Sequence, residues 1–496
     1  MRNFFLLLFI ISSVITQAQK IANPKPFANL ITEDDLKKHL YIIASKDFEG
    51  RETATEGQRK AAAYIENHFK SIGLAPGNGS NYQLYYPVYQ DSLASAAITI
   101  NDRSFNLNED FGVNMSSVYT STLFFKEIVF AGYGVSDSTR DDYKGLKPTG
   151  RIVLLFEKEE TNRRQALMNY VTALRTAQKK GAAAILFIQN NFSQKTHPLN
   201  RQMYLDPYKI AIDPLNFYVS EKIAQAIMGN DFATAKNGNA QAKIYEANVK
   251  LEVNKKAEQL QSSDVLGYLE GTDLKDQLLV ISAHYDHLGK RDTVIYYGAD
   301  DDGSGTVSIL EIAQAFAKAK AAGKGPRRSI LFLANSGEEK GLWGSEYYTD
   351  HPTYPLDKTT ADLNIDMIGR LDDSRKKGDS TNYVYVVGDD KLSSDLKKIS
   401  ESENNKFTKM ELDYKFNDPN DPQRIYYRSD HFNFARKGVP IIFYYDGMLD
   451  ADYHRPTDTP DKINYDIMAK RAKLVFYTAW DMANRNDMLK RDIPLK

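Results

Sequence analysis

Leu278-Leu279-Val280-Ile281-Ser282 is an unbroken apolar run that leads into Ala283-His284-Tyr285-Asp286-His287. A strand with one wet face alternates apolar and polar residues, so a continuous run predicts a strand covered on both faces, as in parallel sheets. Downstream, Gly298-Ala299-Asp300-Asp301-Asp302-Gly303-Ser304-Gly305 precedes a helical pattern carrying Val307, Leu310, Ala313, Phe316 and Ala317. Strands are predicted again at residues 329–334, 363–365, 383–387 and 439–444, with polar loops and helices between them. This alternation predicts an α/β fold: an open, mostly parallel (mixed) sheet with helices on both faces. Its sites should lie beyond the carboxyl ends of the strands.

Toward the N-terminus, Thr32-Glu33-Asp34-Asp35 reads as a capping box opening a helix through Leu36, Leu40 and Ile43. A second amphipathic helix carries Ala62, Ile65, Phe69 and Ile72, and Gly73 is placed to end it. From about Val118 to Val253 the pattern turns β-rich, with strands at 127–135, 151–156 and 183–188 around a helix across 166–179. That stretch has no metal-ligand or nucleophile pattern, and its His197 has no partner nearby in sequence. It is read as a non-catalytic insert at 118–253 between a shorter piece, 19–117, and the main piece, 254–496. At the very start, Arg2, an apolar run from Phe4 to Ile15, and the small residues Thr16 and Ala18 make a secretory signal peptide over residues 1–18. The run is shorter than the roughly 20 residues a membrane span needs. The expectation is an exported chain, periplasmic or secreted, with no stable membrane insertion after cleavage.

Composition narrows the chemistry. Among 496 residues, Lys+Arg 64 nearly balance Asp+Glu 65, so the chain lacks the positive field of a nucleic-acid binder. With Cys 0, thiol nucleophiles, disulfide scaffolds and Cys-ligated zinc are excluded. His-Glu-x-x-His, G-x-S-x-G and P-loop motifs are all missing. What remains is a series of His and carboxylates, each just after a predicted strand: His284, Asp286 and His287; Asp300 to Asp302; Glu338-Glu339; Asp366; and His454 with Asp458. Two imidazoles and three carboxylates make an oxygen-rich site suited to two divalent ions. Two Zn²⁺ against three carboxylates and a bridging hydroxide are neutral together, which limits the cost of burial. Successive side chains diverge, so one of Glu338 and Glu339 can bind metal while the other faces substrate as a base.

Taken singly, each motif has an ordinary explanation. An Asp run before a helix is a turn or cap, paired Glu are usually solvated, and a lone His is often a surface residue. The ordered combination carries the argument. His287 and His431 are candidates either for lining a substrate pocket or for structural hydrogen bonding. Arg370 and Arg428 are ion-pair formers or, for a carboxypeptidase, clamps for a substrate carboxylate.

The run of motifs resembles the co-catalytic zinc exopeptidase family that includes secreted leucyl aminopeptidases, glutamate carboxypeptidase II and the non-catalytic transferrin receptor. The insert resembles the protease-associated domain through Ala131-Gly132-Tyr133-Gly134 and Lys180-Gly181-Ala182-Ala183-Ala184. The resemblance implies two Zn²⁺ per chain: His284 and Asp366 on one, Glu339 and His454 on the other, Asp300 between them. It implies Glu338 as general acid/base and Asp286 as the carboxylate that orients a ligand imidazole. The implied activity is an aminopeptidase acting on peptides through a zinc-bridging hydroxide. The alternatives are a carboxypeptidase or dipeptidase of the same fold, a glutaminyl cyclase on the same scaffold, and a non-catalytic binding protein.

Overall fold

A computed structural model describes residues 21–158, 160–192, 202–206, 213–238, 241–449 and 451–495. The expected signal peptide, residues 1–18, and His197 lie outside them. Contacts divide the chain into two units, one made of Met1–Tyr86 with Ser262–Lys496, the other of Pro87–Gln261.

Near its start the first unit carries α1 (Glu33–Ile43), whose cap Thr32 accepts from Asp35 N, and α2 (Glu56–Ser71). Its sheet is built from β1 (the end, residues 265–269, of strand Lys243–Leu269), β2 (Leu274–His284), β3 (Arg328–Asn335), β4 (Thr359–Ile365), β5 (Tyr383–Val387), β6 (Glu411–Asp413) and β7 (Ile441–Tyr445). The strand order is β6-β5-β7-β4-β2-β3-β1. The pairs β2/β3, β2/β4, β4/β7 and β5/β6 are parallel, whereas β1/β3 and β5/β7 are antiparallel. The sheet is mixed and mostly parallel, as expected.

The apolar run of β2 explains this architecture. Leu279 and Ile281 join one core cluster with Val307, Leu310 and Phe316 of α3 (Gly305–Ala321) and Phe476 and Trp480 of α4 (Tyr465–Asn484). Leu278 and Val280 point to the other face, into a cluster with Leu331, Leu333 and Phe434. Alternate side chains thus feed two cores, and the strand has no wet face. His284 then falls at the carboxyl end of β2, level with Asn335 of β3.

The second unit has four parallel strands, Ser121–Phe130, Ile152–Phe156, Ala184–Ile188 and Leu215–Val219, with Phe111–Val113 antiparallel to the last. Helix Arg163–Lys179 covers part of it, burying Ala173 and Ala177 with Val153, Ile185 and Phe187. The strands expected here are present, but the unit is wider than 118–253. Ile98, Ile100, Phe105 and Phe111 sit in its core beside Phe130 and Leu154, so residues 87–117 belong with it.

Candidate metal centre

The carboxyl ends of β2, β3 and β4 bring His284, Glu338-Glu339 and Asp366 to one edge of the sheet, and the loop before α3 adds three aspartates. Asp302 is the hinge of that loop. Its Oδ1 accepts from Gly305 N at 2.8 Å, capping the helix start, and from Met367 N at 3.1 Å; its Oδ2 accepts from His284 N at 3.2 Å. Asp458 holds the preceding turn by accepting from Asp300 N at 3.0 Å and Asp301 N at 3.2 Å. Gly298, at φ +55°, is required there, because a Cβ would lie 2.5 Å from the His287 ring and 2.4 Å from Asp301 O.

Between these anchors Asp301 turns inward. Its Oδ1 is 3.3 Å from His284 Nε2, and its Oδ2 is 3.1 Å from His454 Nε2 and 3.9 Å from His287 Nδ1. On the first side His284 Nε2 also lies 3.6 Å from Asp366 Oδ1. On the second, Glu339 approaches His287 Nδ1 at 2.8 Å and His454 Nε2 at 3.0 Å. His284 with Asp301 and Asp366, and His287 with Asp301 and Glu339, each group their donor atoms closely enough to hold a cation. One carboxylate therefore spans two donor sets.

Asp300 does not take this position. It turns away from the imidazoles, its Oδ1 accepting from Gly369 N at 2.8 Å, and burial beside Asp446 and Asp458 pushes its carboxyl well above the ordinary range. The expected central role passes to Asp301, because Asp302 is committed to the helix cap and neighbouring side chains diverge.

The family model described as peptidase family M28 matches residues 264–479, which contain every one of these donors. That segment is similar to peptidase family M28. A "probable leucine aminopeptidase" of Trichophyton verrucosum is 31% identical over 214 residues, covering 42% of this chain and 55% of the relative. One of Arthroderma otae is 32% identical over 217 residues, covering 42% and 56%. The chain thus spans about half the length of these curated relatives. Among solved structures, an aminopeptidase from Aneurinibacillus sp. strain AM-1 aligns over 96% of this chain and 99% of its own, at TM-score 0.56 and 17% identity. BSAP, a zinc aminopeptidase from Bacillus subtilis, aligns over 94% and 99%, at TM-score 0.55 and 19% identity. Both likenesses are of fold.

Within the matched segment, Glu338 sits beside the first donor set, its Oε2 3.9 Å from His284 Nε2. Burial raises its carboxyl well above the ordinary range; His284 opposes the shift, and Glu339, Asp366 and Asp430 add to it. Burial works the same way on Asp301 and Glu339, but the imidazoles around them win and hold both below their ordinary values. Asp286 lies beside the His284 ring, as an orienting carboxylate would, and it also holds the neighbouring backbone. His284 Nδ1 is 3.1 Å from the Asp286 backbone carbonyl and 3.7 Å from its carboxylate, which accepts from Glu338 N at 3.2 Å and Thr53 Oγ1 at 2.7 Å.

Thr53 belongs to a strap between α1 and α2. Arg51, fully buried, donates to the carbonyls of Tyr285 at 2.7 Å, Tyr297 at 2.8 Å, Gly298 at 2.8 Å and Ile43 at 3.0 Å. It ties the loop after β2 to the loop before α3. Glu52 bonds Lys340, next to the glutamate pair, at 2.8 Å, and Gln58 donates to Tyr285 OH at 2.6 Å.

The remaining candidates separate cleanly. His287 is buried against Glu339. His431 bonds the Tyr426 carbonyl at 2.8 Å and stacks on Phe443, and burial pulls it down to about 3. Arg370 is committed to Asp452 at 3.0 Å, whereas Arg428 donates to the Tyr453 hydroxyl at 3.0 Å.

Proposed function

We propose that this chain is a zinc-dependent aminopeptidase that removes N-terminal residues from peptides, holding two ions with Asp301 between them. The observation that carries the reading is Asp301, which offers one oxygen to the His284 and Asp366 side and the other to the His454 and Glu339 side. The donor set fits: among the described residues His284 Nε2 is buried without a hydrogen-bond partner, and Asp301 Oδ2 and Glu339 Oε1 are buried facing only imidazole nitrogens, as ligand atoms would be. Imidazole and carboxylate donors suit zinc, and three carboxylates keep the loaded site close to neutral. Zinc bound here would polarise the scissile carbonyl and make water a stronger acid.

The chain's own residues supply the remaining steps. Glu338, with its raised proton affinity, takes a proton from the attacking water as the oxygen bonds to the carbonyl carbon. It then delivers a proton to the amine nitrogen as the C–N bond breaks. Asp286 fixes Glu338 by accepting from its backbone N–H, and the strap fixes Asp286 in turn. We further assign residues 87–261 to a protease-associated insert and the protein to an exported location, to be checked by N-terminal sequencing of the native protein.

Metal content together with turnover of Leu-p-nitroanilide and its N-acetyl derivative tests the reading. Zinc-loaded protein should cleave the free amine and leave the blocked one. Absence of bound metal, or cleavage only of N-blocked dipeptides, would overturn it.

A further inference from the structure

In the second unit, helix Arg163–Lys179 leaves a cleft of about 250 Å³ between itself, the 133–137 loop and the end of strand Ile152–Phe156. Two tilted ring pairs line it: Tyr133 with Phe156, centres 5.9 Å apart, and Tyr170 with Phe187, centres 4.9 Å apart. The Tyr170 hydroxyl is taken, accepting from Asn114 Nδ2 at 3.0 Å and Asn216 Nδ2 at 2.5 Å, so Tyr170 offers the cleft its ring. Charge on the lining is uneven. Among the described residues Asp137 and Glu157 face one cation, Lys158, which Glu160 engages at 3.2 Å. Asp137 Oδ1 accepts from Thr139 Oγ1 at 2.6 Å, Thr139 N at 2.7 Å and Arg140 N at 3.0 Å, and these bonds hold the carboxyl ionised, below its ordinary range. The Arg140 side chain is committed to Asp142 at 2.5 Å, and no described Lys or Arg forms an ion pair with Asp137.

Ring faces carry negative charge density that attracts a cation, the more so as water is excluded. A fixed carboxylate beside such rings adds to the same preference. An anion is repelled here, and a neutral ligand gains nothing from the acids. We infer that this cleft binds an organic cation: the ammonium or guanidinium of a Lys or Arg side chain, or a free amine on a similar stem. The stem lies against the rings and the charged head meets Asp137 and Glu157. At about 250 Å³ the cleft is below the roughly 300 Å³ at which drug-sized pockets begin, and it suits one long side chain. Zinc and the metal centre take no part in this binding.

The test uses zinc-loaded full-length protein and probes blocked at both ends. Calorimetry at low ionic strength compares Nα-acetyl-Arg-amide with the uncharged Nα-acetyl-citrulline-amide. The Arg probe should bind at least about tenfold tighter. Asp137→Asn removes the charge while its Oδ1 can still accept from Thr139 and Arg140, and Tyr133→Ala removes one ring. Each should shrink the preference severalfold. Both side chains are exposed, and a thermal transition shared with the parent shows that the variants are folded. Agmatine, a guanidine with no peptide backbone, separates the sources: affinity equal to that of the Arg probe assigns a free amine, and weaker affinity assigns a polypeptide side chain. Equal binding of the Arg and citrulline probes, no binding at millimolar probe, or a preference that both variants keep overturns the inference.

Discussion

Two sets of buried acids occupy the first unit, and they face opposite surroundings. At the strand ends Asp301 and Glu339 look onto imidazoles and stay ionised. Elsewhere Asp362 and Asp389 are equally buried but lean on neutral groups: Asp362 on Ser282 Oγ at 2.7 Å, Asp389 on Asn417 Nδ2 at 2.9 Å. Burial pushes them up to about 8 and about 7, so they hold protons near neutrality. Burial is common to both sets, and the neighbours decide charge. Only the first set is prepared to meet a cation. Glu338 stands in the first set by position and in the second by proton affinity, which is the combination a proton carrier needs.

The largest effect should come from neutralising the acid shared by both donor sets. Asp301→Asn should weaken zinc retention, read by chelator competition, by more than about a hundredfold, the upper range for removing a mere supporting group. Asp300→Asn should retain the metal, because that carboxyl already favours its neutral form and touches no imidazole. Equal metal loss in the two variants would break the distinction between the sets. Next comes Glu338→Gln, which should keep zinc while kcat falls between about a hundredfold and ten-thousandfold.

The difference between the sets also marks what sequence could reveal. The apolar run of β2 announced a doubly covered strand, and the acids and histidines after successive strands announced one sheet edge. Which of three identical aspartates turns inward depends on helix capping at Gly305 and on Asp458, 157 positions from Asp301. Arg51 lies 234 positions from Tyr285, so no local pattern joins it to the centre. The start of the second unit was missed because Gln83–Ile100 mixes buried and exposed positions instead of presenting a clean apolar run.

A smaller effect probes the support of the charged set. Thr53→Val keeps the side-chain shape but deprives Asp286 of a buried donor, costing about 2 kcal/mol in urea unfolding. Because Asp286 also holds Glu338 N, kcat should fall severalfold with KM for Leu-p-nitroanilide unchanged. Thr53→Ser should restore both.

The neutral set offers the last prediction, with no effect on turnover expected. Asp389 titrates at about 7 in the folded chain against an ordinary 3.8, so the native state keeps a proton that the unfolded chain has released between these values. Stability therefore falls as pH rises through that window, and the full cost is present above it. Asp389→Asn removes the charge while its Oδ1 can still accept from Asn417, so the variant should melt a few degrees higher than the parent at pH 8 and together with it at pH 3.5. A parent that is the more stable of the two at pH 8 would mean that Asp389 is ionised, and the line drawn between the two sets would then fail.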